Sequence, residues 1–82
     1  MRNYEDLLGE AVRMLHEHGG RREPVTRALK ERLAQDRELQ HVLLGEEVPD
    51  HDPIRSPRLR DKAIEGIHDL IEAALTRLNQ SR

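Results

Sequence analysis

Three side chains in the last third of the chain have the types and spacing of a metal site. Glu65 and His68 are three residues apart, as in the Glu-x-x-His pairs of di-iron helical bundles, and Glu72 follows one turn later. On a helix these three share one ridge, and a two-fold dimer would bring two such trios together. The apolar residues of the segment lie on the opposite side, however. We therefore expect the ridge to face water and to hold no metal.

Other histidines and acidic residues form weaker patterns for metal binding. His16 and His18 are two residues apart, which places them on different faces of a helix and makes them a poor chelate. Asp50, His51 and Asp52 offer oxygen and nitrogen ligands in a loop, but they lack the extended spacing and the glycine of a calcium-binding loop. No cofactor is therefore expected.

Covalent catalysis has little support in the residue types present. The chain contains no cysteine, and its hydroxyl groups besides Tyr4 belong to Thr26, Ser56, Thr76 and Ser81. Ser56 is better explained as a helix cap. A glycine-rich phosphate loop needs a preceding strand, and no strand is predicted. We expect no enzymatic activity.

A basic segment is compatible with a helix-turn-helix that binds DNA. Arg27 and Lys30 would lie near the start of a second helix, where a recognition helix contacts bases, and Arg21 and Arg22 would contact phosphates. Acidic residues are interleaved on the same segment, and the whole chain has 14 basic and 16 acidic residues, a net charge of −2. A nucleic-acid-binding domain normally has a basic excess. A dimeric DNA-binding regulator is therefore the alternative function, and nucleic acid is not the partner expected first.

One long helix is predicted from Ser56 to Asn79, and it positions several of these groups. Ser56 suits the N-cap, and Pro57 suits the first helical position, where its missing N–H costs nothing. At about 100° per residue the apolar side chains cover roughly 160°, wider than the ~100° stripe that one packing partner needs. They are Leu59, Ala63, Ile64, Ile67, Leu70, Ile71, Ala74, Leu75 and Leu78. We expect this helix to contact two neighbours and to form the centre of a bundle.

A first helix is predicted at the start of the chain. Asn3 can cap it, and Gly19 is well placed for the left-handed conformation that closes helices. Its apolar stripe consists of Tyr4, Leu7, Leu8, Ala11, Met14 and Leu15.

A second helical pattern begins at Pro24 and is interrupted near its middle. After Leu33 the apolar spacing changes phase, so the helix either kinks near Gln35 to Asp36 or gives way to a short separate helix capped by Asp36. Gly45 ends the pattern. An acidic loop with two prolines, residues 45–55, then leads to the last helix, and it is longer than the ~2 to 8 residues usual between bundle helices.

The composition predicts one small domain that folds around an aliphatic core. Charged residues make up 37% of the 82 residues and aromatic residues 1%, but 20 residues are Leu, Ile or Val. That share lies above the roughly 20% below which compositions are typical of disorder. We predict an all-α domain over residues 1–82, a small antiparallel bundle of three main helices, or four if the second is broken.

Protein association is the function that the apolar pattern favours. The arc on the last helix exceeds what so small a chain is expected to cover, which predicts a homodimer. The core and dimer face is expected at Ile64, Ile67, Leu70, Ile71, Ala74, Leu75 and Leu78. A site for another protein is expected at Leu39, Val42, Leu43, Leu44, Val48 and Ile54. We expect a non-enzymatic adaptor, inhibitor or regulatory subunit.

A cytoplasmic location is expected. The first six residues lack the apolar core of a signal peptide, and no apolar run approaches the roughly 18 residues of a membrane span.

Overall fold

The computed structural model describes residues 3–45 and 57–80, and their regular elements are four α-helices packed against one another. Helix α1 spans Tyr4–Glu17, α2 spans Arg22–Leu33, α3 spans Arg37–Leu44 and α4 spans Pro57–Gln80. The all-α prediction is confirmed for these residues. The count is four helices and not three, because the second pattern is divided into α2 and α3.

Helix α1 begins with the cap that the sequence predicts. The side chain of Asn3 accepts a hydrogen bond from the backbone N–H of Asp6 at 2.9 Å, and the carboxylate of Asp6 accepts from the N–H of Asn3 at 3.2 Å. This reciprocal arrangement is a capping box, which satisfies two backbone donors that the helix cannot pair itself.

Two consecutive glycines end α1. Gly19 has φ of 68° and Gly20 has φ of 82°, a region that other residues adopt only at a cost. The N–H of Gly20 donates to the carbonyl of Leu15 at 2.7 Å, and that of Gly19 donates to the carbonyl of His16 at 3.2 Å. These two bonds form a Schellman motif. The prediction that Gly19 closes the helix is confirmed.

Helix α2 begins two residues earlier than predicted. Arg22 is its first residue, so Pro24 occupies the third helical position rather than the first. The first four N–H groups of a helix have no intrahelical acceptor, so proline is tolerated there as well. Arg21, the N-cap, makes no side-chain capping bond.

The junction between α2 and α3 is held by Asp36, Arg32 and Glu10. Asp36 caps α3 by accepting from the N–H of Leu39 at 3.1 Å, and it also accepts from Arg32 Nε at 3.0 Å. Arg32 Nη1 donates to Glu10 of α1 at 3.1 Å. Burial alone would raise the pKa of the Asp36 carboxyl, but the Leu39 N–H and the Arg32 guanidinium outweigh it and hold the pKa below its usual value.

Gln40 is a polar residue at a position where the helical spacing after Leu33 calls for an apolar one. Its side chain is only 7% exposed, and its Nε2 donates to the carbonyl of Leu33 at 2.9 Å. Leu33 is the last residue of α2, so this bond satisfies a carbonyl that has no helical partner. A polar residue therefore occupies a buried position for a structural reason.

Helix α4 contacts all three other helices, and it forms the centre of the bundle as predicted. It begins at Pro57, the predicted first residue, and the proposed cap Ser56 lies outside the described residues. Its buried residues are Leu59, Ala63, Ile67, Leu70, Ile71 and Ala74. Gly45 ends α3 with φ of 62°, again as predicted.

A close approach between α3 and α4 occurs at Gly66. A Cβ added there would lie 3.1 Å from Leu43 Cδ2 and 3.4 Å from Leu43 Cβ. Gly9 in α1 differs, because a Cβ added there would meet no atom within 4 Å.

These two glycines form a matched pair for mutation. Gly9→Ala is expected to raise the free energy of unfolding by ~0.5–1 kcal/mol, because alanine loses less backbone entropy in a helix. Gly66→Ala is expected to raise the free energy of unfolding by clearly less, because the Leu43 side chain must shift to make room for the methyl group. Urea unfolding of both variants measures the difference. Equal increases for the two variants would show that the Leu43 side chain moves without lowering the free energy of unfolding.

Candidate functional site

An open groove lies between α2 and α4. Its volume is about 480 Å³, and among residues 3–45 and 57–80 five of the six that line it come from one face of α2. The lining residues are Glu23, Thr26, Arg27, Lys30 and Glu31 of α2 and His68 of α4. We call this feature the α2–α4 groove.

The α2–α4 groove carries charges of both signs. The side chains of Glu23, Arg27, Lys30 and Glu31 are exposed. Within residues 3–45 and 57–80, none of these four makes an ion pair or a side-chain hydrogen bond. Their hydrogen-bonding capacity is therefore available to a ligand.

The opposite face of α2 fixes the orientation of the groove. Val25 and Leu29 are completely buried, in the same core cluster as Ile67 and Leu70 of α4. Opposite faces of a helix point in opposite directions. Because Val25 and Leu29 point into the core, the charged face of α2 points outwards.

The suggested metal trio is not assembled. Glu65 and His68 are exposed, and Glu72 forms an ion pair with Arg22 of α2. Within the described part of the chain, no group of three or more acidic, histidine or cysteine side chains could hold a metal ion. Asp50, His51 and Asp52 lie outside it.

The four basic residues of the DNA-binding hypothesis are not presented together. Arg27 and Lys30 line the α2–α4 groove. Arg21 instead donates from Nε to the carbonyl of His18 at 3.2 Å, and Arg22 is paired with Glu72. Two of the four are thus engaged within the chain.

The predicted partner site on α3 is mostly covered by the chain itself. Leu39 and Leu44 are 2% and 4% exposed, whereas Val42 and Leu43 are half-buried against the core. The remaining predicted residues, Val48 and Ile54, lie outside the described residues.

The predicted dimer face divides into a buried part and a half-buried part. Four of its residues are buried within the single chain: Ile67, Leu70, Ile71 and Ala74. Ile64, Leu75 and Leu78 are half-buried. Tyr4, at 43% exposed, is the most accessible large apolar side chain among the described residues.

No protein-family model, curated protein or solved structure matches this chain. In the described ranges, none of the four helices is both long enough and apolar enough to cross a membrane.

The sequence alone identified Arg27 and Lys30 of the groove as candidate binding residues. Glu23 and Glu31 counted only as evidence against DNA binding. Glu23, Arg27 and Glu31 follow one another at four-residue intervals, which places them in one row on a helix. This four-residue spacing is visible in the sequence and was enough to predict the row. The contribution of His68 was not visible in the sequence, because it depends on how α4 packs beside α2.

Proposed function

We propose that this chain is a small non-enzymatic module for protein association, acting in the cytoplasm as an adaptor, inhibitor or regulatory subunit. The observation that carries the proposal is the α2–α4 groove, whose mixed charges have no partner within the described residues. Protein interfaces use such complementary charges for specificity. Catalytic sites, in contrast, commonly exclude water around their reacting groups, and the charged side chains here are exposed.

We further propose that the chain forms a homodimer through one end of an antiparallel bundle. Glu5 of α1 pairs with Arg77 of α4 at 3.1 Å, which places the first turn of α1 beside the last turns of α4. Three apolar residues lie in these turns: Tyr4 is 43% exposed, and Leu75 and Leu78 are half-buried. We call these three residues the end patch.

Light scattering across a concentration series tests the dimer. The wild-type chain is expected to have twice the monomer mass, and Leu78→Glu is expected to reduce it to the monomer, because a charge would then lie in an apolar contact. The neighbouring exposed Asn79 supplies the control, since Asn79→Glu introduces the same charge outside the end patch. A wild-type monomer at every concentration would refute this contact.

DNA binding by a dimer is the second candidate, favoured by the exposure of Arg27 and Lys30 in the groove. If it holds, replacing Arg27 and Lys30 by Ala is expected to weaken DNA binding at least ~10-fold and to reduce its salt dependence. Binding of a short duplex, measured by fluorescence anisotropy at several salt concentrations, checks this. Under the first proposal the wild-type chain shows little affinity for the duplex.

A further inference from the structure

The charges in the α2–α4 groove alternate in sign along the helix. Glu23, Arg27 and Glu31 are spaced about 6 Å apart along the axis, at 1.5 Å per residue. Lys30 lies beside Arg27 on the same face, and His68 of α4 lies across from them. The acidic, basic, acidic order is the same from either end, so a complementary helix would match it in either direction.

We propose that the groove binds a helix of another protein that carries a basic, an acidic and a basic residue at four-residue intervals. The proposal rests on the association function above and specifies the partner's chemistry. The acidic residue of the partner lies against Arg27 and Lys30, and its basic residues lie against Glu23 and Glu31. The open depression between α2 and α4 leaves room for the charged side chains of a third helix.

We infer a different protein because no helix in the described residues carries the complementary row. Arg13, Glu17 and Arg21 have that order and spacing in the sequence, but α1 ends at Glu17, so Arg21 is not in line with the other two on a helix. In α1, α2 and α4, no set of three residues at four-residue intervals has a basic, acidic and basic order, and α3 is too short to hold one. A second copy of the described helices therefore cannot match all three charges.

Protein is favoured over nucleic acid by the positions of the two acids. Glu23 and Glu31 stand on either side of the basic pair Arg27 and Lys30. A phosphate backbone presents only negative charge, so it would be repelled at both ends of the row while being attracted at its centre. Like charges arranged in this way select against an unwanted partner.

Two short helical peptides of alanine background test the inference. The probe has Lys, Glu and Lys at four-residue spacing, and the matched control has Glu, Lys and Glu in the same positions. With ¹⁵N-labelled full-length protein at low salt, the probe is expected to shift the amide signals of Thr26, Arg27, Lys30 and His68. We expect the control to bind about 10-fold more weakly, because every pair then has like charges. High salt should remove the difference.

A charge-swapped protein makes the test decisive. The triple variant Glu23→Lys, Arg27→Glu, Glu31→Lys changes exposed positions only, and circular dichroism checks that its helices remain. It is expected to prefer the Glu-Lys-Glu peptide. Equal binding of both peptides, absence of shifts at the groove or failure of the swap to reverse the preference would each overturn the inference.

Two further outcomes separate this inference from the association function. A homodimer by light scattering combined with no peptide binding would overturn the partner chemistry and leave association intact. Tighter binding of a DNA duplex than of either peptide would overturn both, in favour of the second candidate.

Discussion

Replacing Ile67 by Asp is expected to remove most of the stability of this protein and to lower its melting temperature far more than any surface change does. The Ile67 side chain is 0% exposed and lies in the core that α4 shares with the other helices. An unpaired carboxylate there, together with the lost packing, costs at least ~4 kcal/mol, and the total stability of a domain this size is on the order of 5–10 kcal/mol. Thermal melting followed by circular dichroism measures the effect.

The adjacent residue provides the control for Ile67→Asp. His68 is exposed, so His68→Asp introduces the same group one position along the same helix. Its cost is expected to be about 0.5 kcal/mol, mainly from like charges at helical spacing. Similar melting curves for the two variants would show that Ile67 does not lie on the face of α4 that is buried in the core. Because Ile67 is buried within one chain, we expect unfolding and not merely dissociation of a dimer.

Removing the Asp36 side chain is expected to be the most damaging change at a polar position. Asp36→Ala removes the cap of α3 and the Arg32 partner together, and it should lower the free energy of unfolding by ~2 kcal/mol. Asp36→Asn keeps an efficient cap and loses only the ion pair, so it should cost ~1 kcal/mol or less. Urea unfolding of both variants gives these values, with Gln35→Ala, at the exposed preceding residue, as the control.

The contribution of the Asp36 carboxylate to the free energy of unfolding is also expected to depend on pH. The folded-state pKa of this carboxyl is lower than its ordinary value of 3.8, so its ionised form stabilises the fold above about that pH. As the pH falls through the folded pKa, the carboxylate is protonated in both states and the advantage is lost. The stability difference between the wild-type chain and Asp36→Asn should therefore be largest near pH 7 and shrink below pH ~4. A constant difference across this range would contradict the role of the charge.

The signals that predicted the fold are those that act over a few residues. Asn3 and Gly19 at the ends of α1, Gly45 after α3 and Pro57 at the start of α4 all work through their own backbone or the adjacent turn. Their effects could be predicted because neither capping nor a positive φ depends on distant parts of the chain. The width of the apolar arc on α4 similarly predicted that this helix has more than one neighbour.

The features that sequence reasoning did not predict depend on contacts between distant residues. Arg32 pairs with Glu10, which is 22 positions away, and Gln40 reaches the end of α2. Nothing in the local pattern identifies such partners. The sequence also did not reveal which residues of the apolar arc are covered within one chain, because the burial of Ile71 and Ala74 depends on how the four helices pack.

The Glu5–Arg77 ion pair joins residues that are 72 positions apart in sequence, and it therefore has a consequence for folding speed. Contacts between the two ends of a chain form only after a long loop has closed, which slows folding. A circular permutant that links Gln80 to Asn3 and opens the chain between Gly45 and Pro57 would turn α4 and α1 into sequence neighbours. The same four helices would then have a lower contact order, and the permutant would fold faster than the natural order of the chain.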